Sequence, residues 1–149
     1  MKLVLLTVLS LISFAGYTQQ AEEIAIKQVV LNLFTAMQQG DTTAARNCFD
    51  STAHLHTALI KPTTGKTKLE METLDAFIKI VGSFRSRNLQ IEERIVKWDI
   101  KTDFPMASVW ADYEFYVSGK LSHKGVDAFQ LFKASDGWKI IQICDTRRK

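Results

Sequence analysis

The sequence predicts an α+β fold in which a curved antiparallel sheet wraps around a long N-terminal helix. Apolar residues recur at helical spacing early in the chain, and segments of alternating polarity fill its second half. The links between these late segments are short, which favours antiparallel neighbours. A sheet that curls into a half-open cone around the helix buries the apolar stripe of the helix together with its own apolar face.

Three helices are predicted, over residues 20–39, 42–49 and 74–81. The first has apolar residues at three- and four-residue steps, and Gly40 is a natural C-terminal stop. Asp41 is the predicted cap of the second helix and Thr73 that of the third. We expect Gly82 to end the third helix.

Six strands are predicted, over residues 54–60, 67–71, 88–100, 106–117, 123–133 and 137–146. The apolar parity of the third strand switches between Ile95 and Val96, which indicates a bulge. In the fourth strand Trp110 and Tyr116 share a face with two carboxylates, and the other face is apolar. We expect the mixed face to be the outer face of the sheet or a dimer surface.

The composition fits one globular domain with a core, since 46% of the 149 residues are hydrophobic and 23% are charged. The formal net charge is +3. Basic residues cluster only over residues 147–149, and a nucleic-acid surface needs a broader stripe of cations. We therefore expect no nucleic-acid partner.

Residues 1–18 have the pattern of a secretory signal peptide. Lys2 precedes an apolar run, and small residues allow cleavage after Ala15 or Thr18. The run is shorter than the roughly 20 residues that a membrane-spanning helix needs. We expect a periplasmic or secreted protein, with residues 19–149 as a single domain and no membrane attachment after cleavage.

Both cysteines, Cys48 and Cys144, belong to the predicted mature chain. An oxidising compartment permits one disulfide between them. Their apolar neighbours suit two buried free thiols equally well. The sequence leaves both alternatives open.

The order of elements resembles that of the nuclear transport factor 2-like superfamily, which has a cone-shaped α+β fold. Within it, the chain is most similar to small secreted bacterial proteins known as putative lumazine-binding. The resemblance covers roughly residues 20–148 and rests on the helix IKQVVLNLFTAMQQGD, the strand lead-in DGWKI, the segment SHKGV and the ending DTRR. It implies a pocket at the open end of the cone and a homodimer formed through the outer sheet face.

The last strand predicts a pocket rim. Ile141 and Ile143 share a face with Asp145 and Arg147, so this face turns from apolar to polar towards the strand end. The Arg147 guanidinium suits a ligand carboxylate or phosphate, and Asp145 would hold it in place. The alternative is an ion pair that only joins strands at the sheet end.

His123 and Asp127 lie four residues apart on one strand and share a face. Gly125 stands between them without a side chain, so the two side chains are expected to share a cleared patch. An Asp near a His orients the ring and raises its basicity, which is a general acid–base arrangement. The alternative is a turn in which both side chains are solvated.

His54, His56 and His123 are the histidines of the chain, but their spacing gives no complete zinc site. We predict no metal and no cofactor. Phosphate-loop, serine-hydrolase and Cys-x-x-Cys motifs do not occur in the sequence.

We therefore predict an exported protein that binds a small, partly apolar ligand with an anionic group. The predicted polar contacts are His54, His123, Asp127, Asp145 and Arg147, and the predicted apolar wall is Phe77, Trp98 and Phe129. A second hypothesis is a cofactor-independent dehydratase or isomerase, in which His123 is the general base, Asp127 orients it and Arg147 stabilises an enolate-like anion. A third is a dimeric structural or interaction protein whose pocket is filled by its own side chains.

Overall fold

The computed structural model describes the side chains of residues 19–149, so the predicted signal peptide over residues 1–18 lies outside them. The helices are α1 (Lys2–Gln39), α2 (Thr42–Asn47) and α3 (Leu74–Ser86). The strands are β1 (Phe49–Ile60), β2 (Thr67–Thr73), β3 (Ile91–Asp103), β4 (Met106–Val117), β5 (Lys120–Ala134) and β6 (Gly137–Thr146). Within the described residues, no helix combines the length and apolar character that crossing a membrane requires.

The strands form one curved, unclosed sheet in the order β2-β1-β6-β5-β4-β3. The predicted antiparallel meander holds from β3 to β6. Strands β1 and β6 pair in parallel, a contact between distant segments that local patterns do not reveal. The predicted α+β class is confirmed, with one parallel pair added.

Helix α1 fills the concave side of the sheet. Its apolar stripe and the inner face of the sheet form one buried cluster, which includes Ile26, Val30, Leu33, Phe129, Leu131 and Ile140. Burying an apolar side chain of this size stabilises a fold by about 1.5–3 kcal/mol. The long helix and the sheet therefore hold one another in place.

The junction between α1 and α2 follows the sequence prediction. Gly40 adopts a left-handed backbone with φ +63°, and the Asp41 N–H donates to the Ala36 carbonyl at 2.9 Å. This is the bond that closes a helix end in a Schellman motif. The Asp41 carboxylate then accepts from the Ala44 N–H at 2.9 Å, so one residue closes α1 and caps α2.

The predicted end of α3 at Gly82 is wrong, since the helix continues to Ser86. A Cβ at Gly82 would lie 3.0 Å from Thr42 Cγ2. Glycine here permits close packing of α3 against α2, and a helix interior tolerates it at about 1 kcal/mol.

Two bulges decide which residues face inward. The predicted bulge in β3 is confirmed, because the register shifts between Ile95 and Lys97 and leaves Val96 as the extra residue. A second shift makes Ile141 the extra residue of β6, since Leu131 pairs with Ile140 and Gln130 with Gln142.

The bulge in β6 corrects the predicted parity of this strand. Trp138 and Ile140 are buried in the core, and Ile143 packs against the same core. Strict alternation along the strand predicts Ile143 on the opposite face from Trp138 and Ile140. The extra residue reverses the alternation, so the apolar start of β6 and its polar end share the inner face.

Strand β1 begins at Phe49 and not at residue 54 as predicted. Phe49 is buried and pairs with Ile140 of β6. The three polar residues that follow Phe49 obscure the strand pattern, and the register is irregular between Phe49 and His54.

Both cysteines are free thiols, with Cys48 buried and Cys144 partly buried. The Cys48 thiol donates to the Ala44 carbonyl at 3.4 Å. Burial raises the pKa of Cys48 to about 11, which keeps this thiol protonated at neutral pH.

Replacement of Gly40 tests the helix junction. Gly40→Ala should lower the free energy of unfolding by about 2 kcal/mol or more, because a left-handed non-glycine residue costs about 1–2 kcal/mol and the new Cβ would meet Arg85 Cβ at 2.7 Å. Gly65→Ala is the matched control, since Gly65 has φ +66° and open space around it. Urea denaturation followed by tryptophan fluorescence measures both, and equal losses would contradict the close contact at Gly40.

Candidate functional site

A cavity of about 780 Å³ opens between α1, α3 and the concave face of the sheet. The two helices supply an apolar wall that includes Leu33, Phe34, Met37, Phe77, Ile80 and Phe84. Polar side chains of β3, β4, β5 and β6 gather on the sheet side. The cavity thus combines a broad apolar wall with a few convergent polar groups, as small-molecule sites do.

Strand register brings the polar groups together. Asp127 of β5 pairs with Asp145 of β6, so their side chains share the inner face. Glu93 of β3 stands opposite Phe115 of β4, which stands opposite His123 of β5. Side chains far apart in the sequence therefore line one side of the cavity.

Asp127 is only 5% exposed. Its Oδ2 atom finds no hydrogen-bond donor among the described residues. Burial, the charge of Glu93 and a hydrogen bond with Glu93 hold the pKa of Asp127 well above its usual range. Asp145 adds repulsion in the same direction.

Glu93 is the partner of Asp127. Burial raises the pKa of Glu93 to about 7, although the hydrogen bond with Asp127 works against the shift. Two carboxylates are acceptors only, so a hydrogen bond between them requires a proton on one. Since the pKa values of both groups are raised, the pair stays partly protonated near neutral pH.

Tyr113 lies across the glycine gap in β5. A Cβ at Gly125 would come within 2.5 Å of the Tyr113 ring and 1.8 Å of the Thr146 carbonyl oxygen. The Tyr113 hydroxyl donates to that same carbonyl at 2.9 Å. The tyrosine ring thus occupies the space that His123 and Asp127 were expected to share.

His123 packs among aromatic rings. Its imidazole stacks on Phe115 with ring centres 4.9 Å apart and meets Tyr113 edge-on at 5.8 Å. Its Nδ1 lies 3.2 Å from Ser122 Oγ. Burial and the nearby Arg147 charge lower the pKa of His123, so the ring is neutral at neutral pH.

The structure does not bring the predicted His123–Asp127 pair together. The same-face parity is as expected, but Tyr113 lies between and Glu93 is the group bonded to Asp127. Glu93 was missed as a site residue. The sequence does contain a signal for Glu93. Ile91, Glu93 and Ile95 are two residues apart before the bulge, so the carboxylate shares the core-facing side of β3 with two isoleucines.

Arg147 and Asp145 form the polar rim. Arg147 Nε donates to Asp145 Oδ2 at 2.9 Å, and the Thr57 hydroxyl donates to Asp145 Oδ1 at 2.5 Å. Asp145 therefore holds the guanidinium as the sequence analysis envisaged. A contact between Arg147 and a ligand stays a prediction.

Of the predicted apolar wall, Phe77 and Phe129 line the cavity and Trp98 does not. Trp98 follows the β3 bulge and packs against the core, with the Lys27 ammonium 6.0 Å from its ring centre. The bulge thus moves Trp98 to a part of the inner face that α1 covers.

His54 also lies outside the cavity, because it is exposed and precedes the inward-facing Leu55. Its neighbour in the register is the exposed Gln142. Within residues 19–149, no three His, Cys, Asp or Glu side chains are grouped so that they could hold a metal ion.

Two further carboxylates come from the edge strand β2. Glu72 stands opposite Leu55, and burial raises its pKa. Glu70 stands opposite Thr57 and forms an ion pair with Lys68 at 2.6 Å. Both line the cavity.

The shared proton predicts a pH dependence of stability. The pKa of Glu93 is about 7 in the folded state and roughly 4.3 in an unfolded chain. The folded state therefore holds more protons between these values, and its stability falls as pH rises through this window. Glu93→Gln removes this titrating group and should therefore remove about 1–3 kcal/mol of that fall, as measured by urea denaturation at several pH values.

The control for this experiment is Asp112→Asn, which changes a carboxylate on the outer face of β4, outside the cavity lining. This variant should keep the wild-type dependence on pH. A wild-type slope in Glu93→Gln would show that Glu93 does not hold a proton in the folded state near neutral pH.

Comparison with known proteins identifies the chain. The family described as "Putative lumazine-binding" matches residues 21–143. No curated protein matches the chain.

Three solved structures have a similar fold at low sequence identity. A nuclear transport factor 2-like protein of unknown function from Shewanella baltica is 19% identical, with a TM-score of 0.63 over 89% of this chain and 97% of that one. A protein of unknown function from Mycobacterium tuberculosis is 12% identical, with a TM-score of 0.72 over 90% and 76%. A putative dehydratase of the nuclear transport factor 2-like family from Streptomyces avermitilis is 12% identical, with a TM-score of 0.65 over 89% and 99%.

At such identities the structures show a common fold and not a common activity. They confirm the predicted cone-shaped architecture. Because the family match spans most of the sequence, this chain belongs to the family described as "Putative lumazine-binding" and has the nuclear transport factor 2-like, cystatin-like fold.

Proposed function

We propose that this protein binds a small, partly apolar molecule in the cavity between its helices and its sheet. The carrying observation is the cavity itself, whose volume of about 780 Å³ falls within the roughly 300–1,000 Å³ of small-molecule sites. Its aromatic walls supply apolar contact, and the carboxyl groups of buried Asp127 and half-buried Glu93 supply orientation. The family description and the similarity to a putative dehydratase also support a ligand-binding or dehydratase-like protein.

The hypothesis of a purely structural protein loses its main support. It required the pocket to be filled by the protein's own side chains. The cavity is open, and its lining includes Asp127, whose buried Oδ2 has no donor among the described residues. A buried acceptor without a donor costs about 1–3 kcal/mol, so a ligand that supplies the donor would offset that cost.

The anionic group that the sequence predicts for the ligand depends on a contact with Arg147 and stays a prediction. The charge of Arg147 is balanced by its ion pair with Asp145. The other charged groups in the cavity lining are carboxyl groups. An anionic ligand would meet their repulsion.

Blocking the cavity tests the proposal. Ala76 of α3 lines the cavity, and Ala76→Trp places an indole there without removing a polar group. We expect native mass spectrometry of the protein purified from its own cells to show a small-molecule adduct that this variant lacks. The matched control is Lys79→Trp, an exposed position on the same helix outside the lining.

An adduct retained by Ala76→Trp, or a wild-type protein without an adduct, would contradict binding in this cavity.

The same mass spectra test two further proposals, on export and on dimerisation. We propose that the protein is exported with its signal peptide removed after Ala15 or Thr18, and that it dimerises through the outer sheet face around Trp110, which is 55% exposed. The mass of the chain and the number of subunits test these two points.

A second candidate function is acid–base catalysis without a cofactor. The observation in its favour is the shared proton, because a group with a pKa near 7, such as Glu93, can both donate and accept a proton at neutral pH. The Glu93–Asp127 pair takes the place of the predicted His123–Asp127 pair. If the protein catalyses a dehydration or isomerisation, the Glu93–Asp127 pair would accept the proton that leaves the bound molecule and donate it back.

Binding and catalysis respond differently to Asp127→Asn. If the protein is an enzyme, the variant should bind the recovered molecule within about tenfold of wild type and lose at least about 100-fold in conversion rate. Incubation of the recovered molecule with each protein, followed by mass spectrometry, measures conversion. An unchanged molecule after incubation with wild type would remove the catalytic candidate and leave binding.

A further inference from the structure

We propose that the ligand of this cavity is a small organic cation, a protonated amine on an apolar or aromatic body, whose ammonium group bonds to Glu93 and Asp127. This inference rests on the proposed binding function and adds the charge and chemical class of the ligand. The proposed ligand is positively charged, whereas the sequence predicts a ligand with an anionic group.

The charges in the lining support a cation. Arg147 is the one cationic side chain of the cavity lining within the described residues, against five carboxylates: Glu70, Glu72, Glu93, Asp127 and Asp145. Two of the five already have cationic partners, since Lys68 pairs with Glu70 and Arg147 with Asp145. The remaining three have no cationic partner at salt-bridge distance in the described chain. Carboxylates that face a cavity without counter-ions favour entry of a cation.

The unsatisfied oxygen fixes where the cation sits. The Asp127 side chain belongs to the cavity lining, and its buried Oδ2 lacks a donor in the described chain. An ammonium group has three N–H donors and no acceptor, so it can satisfy Asp127 and Glu93 together. A neutral hydroxyl supplies one donor, and a carboxylate ligand supplies none.

The rest of the lining suits the body of such a ligand. Phe115 and Tyr113 lie on the sheet side beside the carboxyl pair, and Phe77 and Phe84 lie on α3 across the cavity. Aromatic faces attract a cation by about 0.5–2 kcal/mol and also pack against an apolar body. The aromatic side chains of the cavity are therefore compatible with a positively charged group bound at the carboxyl pair.

The groups around the pair define the expected pH dependence. Asp145 of β6 and Arg147, which follows this strand, act on it from one side as a bonded ion pair. Strand β4 contributes Tyr113, whose pKa is raised by burial. On β5, His123 has a lowered pKa and stays uncharged through the neutral range.

Two carboxyl groups, Glu70 and Glu72, face the cavity from β2, while the lining residues of α1 and α3 carry no charge. Glu70 keeps its charge through its bond to Lys68, and burial raises the pKa of Glu72. Strand β1 adds His56 to the lining. Among the lining carboxyl groups, the Glu93–Asp127 pair and Glu72 have raised pKa values and lose their protons later as pH rises.

An ammonium group binds best to the deprotonated pair. Binding should release a proton, and the affinity should rise with pH by up to about tenfold per unit below the pKa of the pair. The rise with pH should become less steep above the pKa of Glu93, which is about 7. An anionic ligand would show the opposite trend.

Three probes of similar size and different charge test the inference: 2-phenylethylamine, 2-phenylethanol and phenylacetate. We expect isothermal titration calorimetry at neutral pH to show the amine bound at least about tenfold more tightly than either of the others. Repeating the titration in buffers of different ionisation enthalpy should show proton release with the amine alone.

Variants distinguish the contribution of carboxylate charge to ligand affinity from that of cavity shape. Glu93→Gln should weaken the amine by at least about tenfold, flatten its pH dependence and leave the alcohol within about twofold. Asp112→Asn is the control and should bind all probes as wild type does. The comparison of probes on the wild-type protein stands even if Glu93→Gln fails to fold.

The outcomes distinguish this inference from the proposed function. If the alcohol or the carboxylate binds as tightly as the amine, the cationic class is overturned and ligand binding stands. If none of the probes binds, the cationic class is also overturned, and ligand binding is judged by the adduct that Ala76→Trp removes.

Discussion

The structure depends on how one long helix covers the concave face of one curved sheet. The apolar stripe of α1 and the inner residues of the strands form a single buried cluster, and neither surface could face water alone. The last turns of α1, with Phe34 and Met37, are also part of the cavity wall. Core and cavity are thus two regions of the same interface, and the residues that stabilise the fold also shape the site.

The fold was largely predictable because periodicity and turn residues are local signals. The apolar steps of α1, the cap at Asp41 and the bulge before Val96 all follow from neighbours in the sequence. The site was less predictable because it depends on the register between distant strands. Glu93 becomes the partner of Asp127 only when β3, β4 and β5 lie side by side, and the bulge at Ile141 changes the inner face without any mark in the apolar pattern of β6.

The carboxyl pair is an arrangement that stability alone does not favour. Burying Asp127 beside Glu93 desolvates both groups and makes them repel one another, and an apolar pair of similar volume would avoid this penalty. The sheet nonetheless holds Tyr113 over Gly125 and Thr57 against Asp145, which fixes the surroundings of the pair. Groups kept in an unfavourable protonation state are a recurring mark of functional sites.

The central position of β6 has a consequence for the order of folding. This strand lies between β1 and β5, and its contacts with β1 join residues as far apart as Thr57 and Asp145. Such long-range pairings form late, after the hairpins that need only short loop closures. The rim at Asp145 and Arg147 is then absent from partly assembled states, so a molecule that binds there slows unfolding of the finished protein without accelerating its assembly.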